Sequence, residues 1–272
     1  MKKIRLFKPS IGIDELNKIK SVFKKSWLGY GPLVKNFEER FAKFIGCKYA
    51  VAVNSGTAAL HLSILSYNFK KGKKVLVPAI TFSATAASVL YSKLEPKFVD
   101  VNPNNLNLDF EDLKRKYSKD CVALICVHMG GHPCEMEKIL PWAKKKKLLV
   151  IEDCAETCGA IYKGRKLGTW SDISCFSFEE KKIMTTGDGG MICLNNKNKF
   201  DHFNKNKQNI INLLKKIKNE SITIYSKGKN YFAPLYVREL KKILKKNAES
   251  HLLSGGTDLS LLVTKERKEI NS

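Results

Sequence analysis

The chain of 272 residues predicts an α/β fold, a mostly parallel sheet sandwiched between helices. Two observations carry that prediction. From about residue 50 to residue 152, short apolar runs alternate with amphipathic runs of helical length. The strand-like runs are apolar throughout rather than at every second position, as strands covered on both faces are. The length suffices for one large core, or for a large domain with a smaller one.

Taken in order, helical patterns over 13–26 and 33–45 open the chain, the second stopping at Gly46. Strands are predicted over 50–53, 74–77, 96–101, 122–127 and 148–152. Helices are predicted over 57–67, 82–91, 109–117 and 135–146. Residues 161–166 read as a hairpin turning at Lys163-Gly164, and 174–178 and 190–194 as further strands. After Leu194 the composition shifts to Asn and Lys, with an amphipathic helix near 199–217. The expected domains are therefore 1–195, a basic connector over 196–230, and a tail over 231–272.

Composition narrows the function. The formal net charge is +23, but only six of the 49 basic residues are arginine, leaving 43 lysines. Arginine is the better bidentate reader of phosphates and bases, so a general lysine bias fits better than specific nucleic-acid recognition. The longest apolar runs fall short of a membrane span, and the basic start lacks an apolar signal core, so a cytoplasmic protein is expected. Eight cysteines without a C-x-x-C pair suit a reducing compartment. Cys154, Cys158, His128 and His132 lack a recognised zinc spacing and read as ordinary core and loop residues; no metal site is expected.

In a parallel sheet, ligands gather beyond the carboxyl ends of the strands. Four segments there carry complementary chemistry. Ser55-Gly56-Thr57 opens a helix whose N–H groups and dipole suit an anion, or simply caps it. Thr81-Phe82-Ser83 offers an aromatic that either lies against a planar ring or staples a helix into the core. Asp153 is either a helix cap or a carboxylate facing a pyridine nitrogen. Ser177 and Lys182, before the Thr- and Gly-rich 185–190, offer a hydroxyl and an amine able to form an imine.

In order and spacing these segments resemble the DegT/StrS-type pyridoxal-phosphate (PLP)-dependent nucleotide-sugar aminotransferases, from about residue 4 to residue 195. Trp27-Leu28-Gly29-Tyr30-Gly31-Pro32 and residues 128–136 share the likeness. The resemblance implies a fold-type I transferase large domain and homodimers with active sites at the subunit interface. It implies Lys182 as the catalytic lysine that holds PLP, and Asp153 as partner of the pyridine nitrogen. Glu156 would lie near the phenolic oxygen and Phe82 on the ring, with Gly56, Thr57 and Ser177 around the phosphate. The implied reaction passes an amino group, by resemblance from L-glutamate, to a nucleotide-linked keto sugar for polysaccharide synthesis. Related dehydratases carry a histidine where Lys182 stands. Thr157-Cys158 and Glu179-Glu180-Lys181 depart from the family pattern without removing a required group.

The family's C-terminal domain is not recognisable and is expected to be missing or replaced. Tyr231-Phe232-Ala233-Pro234, residues 237–246 and Leu252-Leu253-Ser254-Gly255-Gly256-Thr257-Asp258-Leu259 instead resemble the start of the FAD-binding domain of xanthine-dehydrogenase-type flavoproteins. A truncated or fused enzyme is the expectation. The alternatives are an inactive PLP-binding remnant and, resting only on that glycine turn, a flavin-dependent redox fragment.

Overall fold

The computed structural model describes residues 8–25, 28–195, 222–226, 229–233 and 237–246. The chain divides into two compact units, residues 1–203 and 204–272.

In the first unit, α1 (Ile13–Lys24) and α2 (Pro32–Ile45) precede β1 (Tyr49–Val53), α3 (Gly56–Leu65), β2 (Lys74–Pro78), α4 (Ala84–Tyr91) and β3 (Glu95–Val99). Then come α5 (Phe110–Lys116), β4 (Cys121–Val127), a 3-10 turn at Met129–Gly131, α6 (Met136–Lys145) and β5 (Leu149–Asp153). A small antiparallel hairpin of β6 (Ile161–Tyr162) and β7 (Arg165–Lys166) leads to β8 (Ile173–Ser177) and β9 (Gly190–Leu194).

The helix ends follow local chemistry. Pro32 starts α2 where its missing N–H costs nothing, and Gly46 ends it at φ 95°, in the left-handed region. Ser55 caps α3 by accepting the Ala58 N–H at 3.1 Å, and Asp109 caps α5 by accepting that of Asp112 at 2.7 Å. Several boundaries shift by one or two residues, and two of the shifts have a clear local cause. The helix read from residue 82 begins at Ala84, because the chain bends from Ala79 to Ser83 as it leaves β2, and Phe82 stays on the loop. The strand read through residue 101 stops at Val99. The Asp100 N–H goes to Asp112 at 2.7 Å, and Val101 pairs separately with Leu108.

Seven strands form one sheet in the order β1-β9-β8-β5-β4-β2-β3. Neighbours are parallel except at β9, which runs antiparallel to both β1 and β8. Val75, Val77, Ile125, Leu149 and Ile151 pack with Ala59, Leu60, Ile64 and Val89 of α3 and α4. On the other face Leu76, Leu124, Cys126 and Val150 meet Leu113, Met136, Ile139 and Ala143 of α5 and α6, while Phe41 and Ile45 of α2 meet Phe176, Met191 and Cys193. This parity has a consequence at the end of β5: Asp153 shares the face of Leu149 and Ile151, and Glu152 the face of Val150.

In the second unit β10 (Ile222–Ser226) and β11 (Lys229–Ala233) form an antiparallel hairpin, and α7 (Val237–Lys246) is helical as expected. The hairpin was not expected. Its Ile222-Thr223-Ile224-Tyr225 run favours a strand, a signal that the basic composition of 196–230 obscured. The helix expected near 199–217 and the glycine turn at 255–256 lie outside the described residues.

Candidate active site at the strand ends

Because β9 alone runs backwards, its first residue sits beside the last residues of its neighbours: Gly190 pairs with Val53 on one side and with Ser177 on the other. The loops after β1 and β8 are thereby pressed together. A Cβ on Gly56 would stand 2.8 Å from that of Ser177, and one on Gly190 would collide with the Ser55 carbonyl oxygen. The absence of side chains at both positions lets the first turn of α3, with Gly56 and Thr57, close against Ser177. The start of α3, with its free N–H groups, is thereby set beside the Ser177 hydroxyl, an arrangement that suits an anion.

Asp153 ends β5 on the α3–α4 face, 6% exposed. Its Oδ1 accepts the Ala155 N–H at 3.1 Å and its Oδ2 accepts the Thr85 hydroxyl at 3.2 Å. Burial raises its pKa, opposed by those two hydrogen bonds and by the positive charge of Lys182. Each carboxylate oxygen keeps a free lone pair in this arrangement, so a further donor would be stabilising.

Lys182 comes from the β8–β9 loop, which is fastened by the Thr185 hydroxyl and the Thr186 N–H, both donating to the Phe178 carbonyl at 3.0 Å. Its Nζ lies 3.8 Å from Glu156 Oε1, and Glu156 Oε2 accepts the Gly130 N–H at 2.8 Å. Glu156 thus spans the lysine loop and the turn after β4. Phe82 differs from the others: it is 77% exposed on the loop after β2, and it forms no ring pair among the described residues.

Sequence reasoning missed a supporting layer. Glu152, fully buried, accepts from Gly168 N at 2.9 Å, Ser171 N at 2.7 Å, Ser171 Oγ at 2.9 Å and His128 Nε2 at 3.3 Å. Burial opposes its charge, but His128 and the Ser171 and Gly168 N–H groups outweigh it and hold the carboxyl below its usual range. His128 Nδ1 accepts the Cys134 N–H at 3.1 Å, which places the ring proton on Nε2, toward Glu152. Asn107 accepts the Met129 N–H at 2.9 Å and donates to the His132 and Pro133 carbonyls at 3.0 Å, shaping the turn beside Glu156. Only the alternation along β5 signalled any of this. Cys154 joins His128 and Glu152, their donor atoms within 4.8 Å of one another. His132 instead meets Asn107, at 3.1 Å. Both His128 nitrogens and the Glu152 carboxylate already have protein partners, so the group is a hydrogen-bonded support.

A covered parallel sheet with an amine, a buried carboxylate and an anion recess at its strand ends defines the large domain of a fold-type I PLP-dependent transferase. The chain matches the DegT/DnrJ/EryC1/StrS aminotransferase family over residues 9–248 and belongs to it. It is 39% identical over 202 residues to the GDP-perosamine synthase of Escherichia coli O157:H7, covering 74% of this chain and 56% of that one. The PLP form of a putative sugar aminotransferase from Streptococcus pneumoniae superposes with a TM-score of 0.69 at 25% identity, covering 76% of this chain and 57% of the other. A GDP-4-keto-6-deoxymannose-3-dehydratase superposes with a TM-score of 0.70 at 29% identity, over 74% and 54% of the two chains. The chain spans about half the length of the curated relatives it matches.

The family match runs past residue 195 and takes in β10, β11 and α7, and the flavoprotein likeness of residues 231–265 finds no support beside it. The cofactor of the family is pyridoxal 5′-phosphate. The recess at Gly56 and Ser177, the spare lone pairs of buried Asp153 and the amine of Lys182 fit its phosphate, ring nitrogen and aldehyde.

Proposed function

We propose that the chain carries the cofactor site of an enzyme that transfers an amino group from L-glutamate to a nucleotide-linked keto sugar, in the making of amino sugars for polysaccharide. The observation that carries this reading is the placing of Lys182 Nζ 3.8 Å from Glu156, with its charge acting on the buried Asp153. When bound, PLP supplies an aldehyde that receives the amino group and a ring that accepts electron density. Lys182 holds that aldehyde carbon between turnovers. Its free Nζ would take the proton from the donor α-carbon and deliver it onward, as base and then acid. Asp153 would keep the ring nitrogen protonated, with Glu156 available to the phenolic oxygen and Phe82 to a ring face. Gly56 and Thr57 N–H groups with the Ser177 hydroxyl hold the phosphate. Lysine at 182 favours transamination over the dehydration that the same fold supports.

The sugar-aminotransferase relatives support the substrate class, and the exposed apolar side chains of Ile80, Phe82 and Ile183 beside the site suit a homodimer. The test begins with PLP added to the full chain. Near-visible absorption should appear, borohydride should fix the cofactor to the peptide containing Lys182, and L-glutamate should bleach the colour. Colour that survives glutamate would refute the transamination, and labelling elsewhere would refute the role of Lys182.

A further inference from the structure

We propose that Thr85 is a positioning residue, its hydroxyl aligned by Thr81 so that the Asp153 carboxylate is held as a charged acceptor facing the cofactor's ring nitrogen. The purpose rests on the cofactor reading above; the pairing rests on hydrogen-bond geometry in the protein itself.

Thr85 lies in the first turn of α4, fully buried, with no earlier turn of its own helix to offer a carbonyl to its hydroxyl. Here Oγ1 reaches across to Asp153 Oδ2 at 3.2 Å and, on its other side, meets Thr81 Oγ1 at 2.8 Å. A hydroxyl has one proton to give. A carboxylate accepts but cannot donate, so Thr85 gives its proton to Asp153, and its lone pair is then free to take that of Thr81. Thr81 is half-buried at the rim, so the chain of hydroxyls runs from the loop beside Phe82 to the buried carboxylate. Ala155 N fixes the other oxygen at 3.1 Å, and the His128 N–H fixes the Asp153 carbonyl at 3.3 Å. Side chain and backbone are thus pinned from three elements.

The charged and titratable groups around Asp153 are His128 after β4, Lys182 on the β8–β9 loop, Cys175 on β8, and its own neighbours Glu152 and Cys154; α4 contributes the uncharged Thr85. Removing one hydroxyl from this set takes away stabilisation of the ionised carboxyl without altering any charge.

The test is 13C-carboxyl titration of the full chain without cofactor, the Asp153 signal identified by its loss in Asp153→Asn. Thr85→Val keeps the volume and should raise the midpoint by about one pH unit. Thr85→Ser should restore it, and Thr81→Val, at the half-buried rim, should raise it by less. Titration of Thr85→Val with the parent, or of Thr85→Ser with Thr85→Val, would overturn the proposal; if Thr85→Val does not fold, an unmoved midpoint in Thr81→Val would do so. PLP affinity measured on the same proteins should fall about tenfold in Thr85→Val and recover in Thr85→Ser. A parent that binds no PLP yet shows the titration shifts would sink the cofactor reading and leave the Thr85–Asp153 pairing standing.

Discussion

Gly56→Ala is the sharpest test of how the anion recess is built. The backbone at Gly56 is ordinary helix, so alanine meets no conformational strain there, and its better helix propensity favours it by up to about 1 kcal/mol. Space decides the outcome. The new methyl would lie 2.8 Å from Ser177 Cβ, 3.2 Å from its Oγ and 3.4 Å from its Cα, where carbon atoms normally rest about 3.5–4.0 Å apart. The contacts on Ser177 include backbone, so the start of α3 must move away by roughly 1 Å. Overpacking of this kind costs about 1–3 kcal/mol, which leaves a net loss of up to about 2 kcal/mol after the propensity gain. Urea unfolding should show the midpoint fall by about 0.5 M, and PLP affinity should drop further because the N–H groups move with the helix. Ser177→Gly in the same chain removes the atom struck and should recover most of the loss, a coupling of about 1 kcal/mol in the double-mutant cycle. Gly29→Ala, with nothing within 4 Å, is the control. A Gly56→Ala protein as stable as its parent, with no coupling to Ser177, would refute the close approach.

Three further outcomes are expected. Lys182→Ala should abolish borohydride fixation of PLP while the neighbouring exposed Lys181→Ala retains it; mass mapping that follows residue 181 would reverse the assignment. Burial raises the Asp153 carboxyl, so the folded state keeps that proton to higher pH than the unfolded chain does. Its contribution to stability is complete below the unfolded value of about 3.9 and is lost as pH rises through the folded value. Urea midpoints of the parent should therefore fall relative to Asp153→Asn as pH rises from about 4; a constant or opposite difference would contradict this. Glu152→Gln places an amide against Gly168, Ser171 and His128 donors and should cost roughly 3 kcal/mol in the same assay, and a near-neutral result would show the network to be dispensable.

The sheet was legible because its signals are local. Apolar runs such as residues 74–78 and 121–127 and stops such as Gly46 declare themselves within a few residues. The candidate site was legible only as separate segments whose order resembles a known family; what joins Gly56 to Ser177 is the reversed strand β9, and reversal leaves little trace in an apolar run. The roles of Thr85, Asn107, Glu152 and His128 went unread for a related reason. Each acts through one or more hydrogen bonds to a residue 16 or more positions away, and no spacing rule reports such a partner. The hairpin at 222–233 was missed on composition: its strand-forming run was read as part of a basic connector.

Glu152 and Asp153 show how one strand end separates support from chemistry. The two carboxylates are adjacent and almost equally buried, so desolvation pushes both toward the neutral form. Alternation along β5 sends them to opposite faces, and the faces differ in the donors they offer. Glu152 meets four, enough to occupy its lone pairs and hold it ionised, and it locks the 168–171 turn and His128 in place. Asp153 meets two, and its pKa stays high. A carboxylate in that condition gains most from one more positively polarised partner, because such a contact supplies the stabilisation that burial removed. A protonated ring nitrogen is such a partner, and bringing it there costs no rearrangement of Glu152, whose bonds all lie on the far side of the sheet.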